Sequence, residues 1–158
     1  MAVAADQWLD AEPVRPGRSW WLGRSGTGPE PTLRLARQLA ADLRDGLSGA
    51  RVRSAARGAR RLLGVTGVGL ADLTGVPVWA GAIPADGVVP PLVQQVLHTE
   101  SRAGRTPVLA LPLHVQDELA GVLVVHGAAR RAAVREVADW VVEALERGRL
   151  EASAEQAA

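Results

Sequence analysis

The chain has no cysteine, no lysine, no phenylalanine and no tyrosine among its 158 residues. Without cysteine there can be no disulfide bonds, thiolate metal ligands or cysteine nucleophiles. The aromatic residues are five Trp, so the core must be built mainly from Leu, Val and Ala, which the 47% hydrophobic content supplies. All 18 basic residues are Arg, a bias typical of a GC-rich genome, and an arginine cluster is therefore weak evidence for specific chemistry.

Long apolar runs and a strong net charge are also lacking. The formal net charge is +1, so the molecule as a whole is not a polycation. The longest uncharged stretches, residues 73–85 and 87–99, fall short of the ~18–20 residues that a transmembrane helix needs. The first ten residues show no basic region followed by an apolar one, so no signal peptide is predicted. These features predict a cytoplasmic protein without a membrane span.

Proline and glycine divide the chain into a leader, one domain and a tail. Residues 1–31 keep no period of 2 or 3.6 through their Pro and Gly residues, and we predict a flexible leader. Residues 32–150 are predicted to form the domain, and residues 151–158 the tail. Helical spacing of apolar residues predicts two N-terminal helices within residues 32–63 and a long amphipathic helix over residues 131–150.

Four strands and a short helix are predicted between the terminal helices. Residues 65–73 and 76–82 are two strands joined at Thr74-Gly75, and residues 92–102 are the short helix. Residues 106–127 are two apolar runs around the polar break Gln116-Asp117-Glu118, which predicts a buried hairpin. Because successive strands are joined by tight turns, the sheet is expected to be antiparallel. The fold class is therefore α+β, with the terminal helices on one face of the sheet and the short helix plus loops on the other.

The hairpin carries a family resemblance. Its sequence LPLHVQDELAGVLVVHG, residues 111–127, resembles GAF domains, in which a strand ending in Pro-Leu leads through a polar turn to a Gly-Val-Leu strand and a C-terminal helix. Together with residues 60–75 and 91–106, it resembles the GAF region of LytS-like sensor histidine kinases. The resemblance implies a sensory or regulatory domain of bacterial two-component signal transduction, relaying through its terminal helices to a histidine kinase or another output.

The same resemblance implies a small-molecule pocket between the sheet and the middle helix. Bilin-binding and methionine-sulfoxide-reducing GAF domains need Cys, and the cyclic-nucleotide class has an Asn-Lys-Phe-Asp-Glu signature, so none of these classes fits. What remains is an apolar pocket of unknown ligand, with Asp72 or His98 as its polar group. Its expected lining is Leu70, Asp72, Trp79, Val96 and His98, although a Trp in the position of Trp79 is more often plain core than a ligand platform.

The three imidazoles, His98, His114 and His126, raise the question of a metal or haem site. Such a site needs converging imidazoles, usually beside carboxylates or thiolates, and no spacing here matches a known ligand motif. We therefore predict ordinary polar histidines, and the cofactor stays unknown. The glycines of GVTGVG, residues 64–69, enter a strand instead of leading to a helix, so no phosphate loop is predicted. With no catalytic constellation apparent, no enzymatic activity is expected.

Two further interaction surfaces follow from the helices. The apolar stripe of the last helix predicts a homodimer through Val134, Ala138, Val141 and Leu145. Residues 34–61 contain eight Arg against two Asp, but no recognition motif accompanies them, so a solvated surface is expected in preference to nucleic-acid or membrane binding. The alternative function is a roadblock-like scaffold that binds a protein partner and no small molecule.

Overall fold

The computed structural model describes residues 29–157, with side chains from Leu33 onward. The predicted leader lies outside these residues except for its last three, which open the first helix. Along the chain, the helices and strands are α1 (Pro29–Asp42), α2 (Val52–Leu63), β1 (Gly67–Ala71), β2 (Val78–Gly81), α3 (Val89–Thr99), β3 (Ala103–Arg105), β4 (Val108–Val115), β5 (Glu118–His126) and α4 (Arg131–Ala157).

The five strands form one antiparallel sheet in the order β2-β1-β5-β4-β3. The central pair, β1 and β5, is aligned so that Leu70 lies opposite Leu123. Every residue of β1 is buried, as are five consecutive residues of β5. Strands covered on both faces read as continuous apolar runs, which explains why these segments lack alternation. The predicted α+β class and antiparallel sheet are confirmed.

Helices cover both faces of the sheet. On one face α2 packs on β1 and β2, α4 packs on β4, and α1 lies against both helices. Val68 and Leu70 of β1 point into this larger cluster, together with Leu113, Leu123 and Val125 of the hairpin. On the other face α3 covers a smaller cluster made of Ala71, Val89, Val93, Val96, Ala103, Val108, Ala110, Val122 and Val124. The predicted distribution of helices over the two faces is thus observed.

α2 shows how the Ala- and Arg-rich sequence forms an amphipathic helix. One side is buried, while Arg53, Arg57 and Arg61, spaced by four residues, are exposed on the other. The helix ends at Gly64, which adopts a left-handed conformation (φ 65°) and donates its N–H to the carbonyl of Arg60 at 2.8 Å. Glycine takes this conformation without steric cost, so it stops the helix as the sequence predicted.

The middle helix differs from its predicted bounds. α3 begins at Val89 because Pro90 and Pro91 fit the first turn, where a backbone N–H has no helical partner. It ends at Thr99, with Glu100 in the left-handed conformation, and not at residue 102. Just beyond the predicted helix, Ala103–Arg105 form the short strand β3, and three residues are too few to show the period of a strand.

The hairpin between β4 and β5 has a two-residue turn. Gln116 and Asp117 both have positive φ, 53° and 67°, the conformation of the turns that match the twist of antiparallel strands. Glu118, predicted as part of the turn, is already the first residue of β5. The polar break was therefore correctly interpreted as a turn and is one residue shorter than expected.

The terminal helices also depart from the prediction. α1 begins at Pro29 and ends at Asp42, followed by turns up to α2. The carboxylate of Asp42 is buried and accepts bonds from Gln38 Nε2 at 3.0 Å and Arg51 Nε at 3.3 Å, which fixes the corner between α1 and α2. At the other end α4 continues to Ala157, seven residues past the predicted end at residue 150, so residues 151–157 of the predicted tail are helical.

We expect Gly121→Ala to destabilise the domain. A Cβ at Gly121 would overlap the carbonyl oxygen of Ala71 and Cδ1 of Leu47, both in the packed interior. Overpacking of this kind costs about 1–3 kcal/mol, which urea unfolding would measure.

Gly58→Ala in α2 is the matched control. Nothing lies within 4 Å of a Cβ at Gly58, and the helix should gain about 0.5–1 kcal/mol from the better helix former. Equal effects of the two substitutions would contradict the packing assigned to Gly121.

Candidate functional site

The five residues predicted to line a ligand pocket do not share one cavity. Leu70 points into the cluster beneath α2 and α4, whereas Val96 lies in the cluster beneath α3, on the opposite face of the sheet. His98 is exposed on α3, and Asp72 lies in the turn after β1. The structure does not bring the five residues together, and the sequence could not show this because a strand buried on both faces gives no sign of which side chains point to which face.

The layer between the sheet and α3 is occupied by its own side chains. Trp79 on β2 is paired with Gly69 on β1, and a Cβ at Gly69 would lie 3.1 Å from the indole ring. The indole therefore lies over the glycine and packs against the smaller cluster, half-buried. A large ring covering a cross-strand glycine is a packing arrangement, which favours a core role for Trp79 over a ligand platform.

The histidines contact different groups and do not converge. His114 Nε2 lies 3.1 Å from Glu100 Oε1, and His126 Nδ1 lies 2.9 Å from the carbonyl oxygen of Ala82. Because a carbonyl only accepts hydrogen bonds, His126 Nδ1 carries the hydrogen and donates it. In the hairpin His114 is paired with Leu119 and His126 with Val108, at opposite ends. Across residues 29–157, no group of three His, Asp or Glu side chains could hold a metal ion.

A groove of about 570 Å³ lies at one end of the helical layer. Three segments distant in sequence form its walls: the turns between α1 and α2, the turn between β1 and β2, and the C-terminal half of α4. Most of its surface is apolar. Its lining comprises Arg44, Asp45, Gly46, Leu47, Ser48, Asp72, Leu73, Thr74, Ala120, Leu145, Gly148, Arg149 and Ala152.

Gly148 brings two of these walls together. A Cβ at this position would lie 2.5 Å from the carbonyl oxygen of Arg44, so only glycine lets α4 approach the α1–α2 turn so closely. Leu47 and Leu145 are buried beside this contact and belong to the larger core cluster. The groove is therefore built on a direct contact between α4 and the turn that follows α1.

Ionic and polar contacts surround the groove. Arg44 is paired with Glu151, at 3.3 Å from Nε to Oε2, and with Glu155 through Nη2. Both glutamates lie on α4 one turn apart, so one guanidinium tethers the exposed end of the helix. Across the groove Asp72 Oδ1 accepts hydrogen bonds from the N–H of Thr74, at 2.9 Å, and from its hydroxyl.

Of the residues predicted to line a ligand pocket, only Asp72 lies in the groove, and Leu145, predicted for the dimer, lines it as well. Two signals were present: a glycine inside the amphipathic pattern of α4, and the Glu151–Glu155 spacing beyond it. Neither signal identifies the residue that it contacts, because Arg44 lies more than 100 residues earlier in the chain. The groove therefore emerges only from tertiary packing.

The residues predicted to form a dimer seam are used inside the protomer. Val134, Ala138, Val141 and Leu145 are buried against the larger cluster of the same chain. The apolar stripe was correctly identified, but its partner is the protein's own sheet and helices. An interface between two copies must therefore use other side chains.

The structure also bears on the membrane prediction. Between residues 29 and 157 no helix is both long enough and apolar enough to cross a bilayer.

We expect Arg44→Gln to loosen the end of α4. Each exposed ion pair contributes roughly 0.2–1 kcal/mol, so loss of both should speed amide exchange in residues 151–157 about two- to thirtyfold. Hydrogen exchange read by mass spectrometry measures this directly. Arg57→Gln, on the exposed side of α2, is the matched control, and equal exchange in both variants would contradict the tether.

Comparison with known proteins gives structural similarities only, since no family model and no curated protein matches the chain. The GAF-B domain of DevS from Mycobacterium smegmatis is 25% identical, with 67% of this chain and 96% of that chain covered and a TM-score of 0.48. The GAF domain of an Acinetobacter phosphoenolpyruvate-protein phosphotransferase is 13% identical, with 76% and 95% covered and a TM-score of 0.44. A GAF domain/HD domain protein from Geobacter sulfurreducens is 16% identical, with 73% and 98% covered and a TM-score of 0.47. The chain is thus similar to GAF domains, the family that its hairpin resembles, and these similarities assign it no ligand, partner or site residue.

Proposed function

We propose that this chain is a non-catalytic, GAF-like sensory or regulatory domain of bacterial signal transduction, acting in the cytoplasm. It binds a small ligand or a partner and relays that event through its terminal helices to a histidine kinase or another output. One observation carries the proposal: α4 is anchored in the core over its first part and projects as an exposed helix over its last part.

The two parts of α4 differ sharply in burial. Buried positions recur through α4 up to Gly148, and every described residue from Arg149 onward is exposed. The whole helix has 27 residues, about 40 Å at 1.5 Å per residue. A helix whose exposed end extends a rigid buried part can pass a change in core packing outward, which is what a relay element needs.

α1 is the natural second element of the relay. It packs against both α2 and α4, so a shift of α4 changes the surface on which α1 rests. A ligand that binds one arrangement of these helices more tightly than another shifts the population toward it. No covalent chemistry is required, and two of the three histidines already contact the Glu100 carboxylate and the Ala82 carbonyl.

The proposal includes a homodimer that uses the exposed apolar residues of the terminal helices. Leu33 on α1 is 57% exposed and Leu150 on α4 is 61% exposed. The two leucines lie on the first and the last helix of the described chain. Large apolar side chains that are exposed on two helices suit a helical interface between two copies of the protein. The buried stripe predicted from the sequence plays no part in this interface.

Light scattering at roughly 100 μM protein tests the dimer, because association depends on concentration. We expect a dimer mass for the full chain, and Leu150→Glu should weaken association at least about tenfold, since a charge would then sit in the apolar interface. Leu73→Glu, which alters an equally exposed leucine in the β1–β2 turn, is the matched control. A monomer mass at this concentration would contradict the proposed homodimer.

A second candidate function is a roadblock-like scaffold that binds a protein partner and no small molecule. The filled layer beneath α3 supports it, because Val93, Val96 and the half-buried Trp79 occupy the space where a GAF-type ligand was expected. A domain of this kind would present its surface, not a pocket, to its partner.

Xenon uptake distinguishes a filled layer from a pocket. Apolar cavities take up xenon, whereas a close-packed core does not. The scaffold function predicts that xenon leaves the methyl resonances of Val93 and Val96 unchanged in the natural protein. Val96→Ala, which opens a cavity, should make Val93 respond and serves as the positive control. A xenon response in the natural protein would count against the scaffold.

A further inference from the structure

Arg44 already acts as a carboxylate-binding group. Its guanidinium, at the edge of the groove, holds Glu151 and Glu155 of α4. All three side chains are about half exposed, with 54% for Arg44, 48% for Glu151 and 65% for Glu155. Pairs this exposed are weak and exchange readily with solutes. The groove thus contains a guanidinium, that of Arg44, which already binds carboxylates, and the two glutamates that it binds are weakly held.

A second guanidinium lines the same groove. Arg149 follows Gly148 on α4, is exposed, and forms no ion pair with any other described residue. Guanidinium groups present several N–H donors in a planar fork that matches a carboxylate. Arg44 and Arg149 lie on two different walls, the α1–α2 turn and α4, so the groove offers an anion a guanidinium on each wall.

The remaining surface suits an apolar body. The apolar side chains of the lining are those of Leu47, Leu73, Ala120, Leu145 and Ala152. The volume of about 570 Å³ falls within the roughly 300–1,000 Å³ of small-molecule sites. A ligand that fits has a short apolar chain and one anionic end.

Two carboxylates on the rim oppose an incoming anion, and they differ in their own contacts. Asp72 is engaged by the backbone and hydroxyl of Thr74, which satisfies Oδ1. Asp45 is exposed and has no ion pair among the described residues, so it opposes an incoming anion. Its removal should therefore strengthen binding, an effect opposite in sign to the loss of an arginine.

We propose that this groove binds a small organic carboxylate with an apolar body, and that the ligand displaces Glu151 and Glu155 from Arg44. Binding then frees the exposed end of α4 from the α1–α2 turn. The site lies away from the layer beneath α3 where the sequence predicted a pocket. Its regulatory consequence rests on the proposed relay function, whereas binding itself does not.

Hexanoate is the probe, and an NMR titration of the full chain is the measurement. We expect hexanoate to shift the amide resonances of Leu47 and Gly148, while hexanol, which lacks the charge, and acetate, which lacks the apolar body, bind at least roughly fivefold more weakly. Arg149→Gln should weaken hexanoate binding by a similar factor, and Asp45→Asn should strengthen it about twofold. Arg57→Gln on α2, the matched control, should leave the affinity unchanged.

A further variant tests the recognition of the carboxylate, and hydrogen exchange tests the displacement of Glu151 and Glu155 from Arg44. Arg149→Lys retains the charge without the fork and should give an intermediate affinity, which guards against misreading a poorly folded Gln variant. Saturating hexanoate should raise amide exchange in residues 151–157 toward the level of Arg44→Gln, and cause no further rise in that variant.

Several outcomes overturn the inference. Hexanol binding as tightly as hexanoate would show an apolar groove without anion recognition. Equal effects of Arg149→Gln and Arg57→Gln on hexanoate affinity would contradict a contact between Arg149 and the ligand. Hexanoate binding without faster amide exchange in residues 151–157 would disprove the displacement of Glu151 and Glu155. Failure to bind hexanoate leaves the dimer result intact, and a monomer in light scattering leaves hexanoate binding intact, so the two proposals fail separately.

Discussion

The pairing of β1 with β5 at the centre of the sheet is the constraint on which the rest of this structure depends. Both strands are buried on both faces, so each must be covered by helices on two sides. The larger cluster needs three helices and the smaller one needs α3. Because the core lacks Phe and Tyr, these helices must come close to the sheet, and their buried faces are made of Ala, Val and Leu.

Close approach in a core of small residues places glycine at the contacts. Gly121 lets β5 lie against Ala71 and Leu47, Gly69 accommodates the indole of Trp79, and Gly148 lets α4 touch the turn after α1. The contact of Gly148 links the core to the candidate groove, because it holds two walls of the groove together and lies where the exposed part of α4 begins. Packing and the candidate site are therefore aspects of one arrangement.

The division of α4 into an anchored and an exposed part gives the relay and ligand proposals a common physical basis. The anchored part contributes its apolar stripe to the protomer core, which removes it from any interface between copies. The exposed part is held by Arg44, through contacts weak enough for a competing anion to replace. A small binding free energy can shift such an element, whereas the side chains beneath α3 are buried among one another and are held more firmly.

Local and near-neighbour patterns made much of the fold predictable. Gln116 and Asp117 between two apolar runs predicted the hairpin, Gly64 predicted the end of α2, and the order of elements predicted an antiparallel α+β sheet. The short strand β3 and the start of α3 were missed, because three residues carry no period and Pro90-Pro91 suits both a loop and a first helical turn.

Thus the sequence by itself determined every element except β3, together with their order and the hairpin turn, since these depend on residues close together in the chain. Only the tertiary structure decided that Leu70 and Val96 lie on opposite faces of the sheet, because a strand buried on both sides shows no alternation. It also decided the groove and the extent of α4. Gly148, Glu151 and Glu155 acquire their roles from Arg44, a residue more than 100 positions away, and no local pattern encodes such a contact.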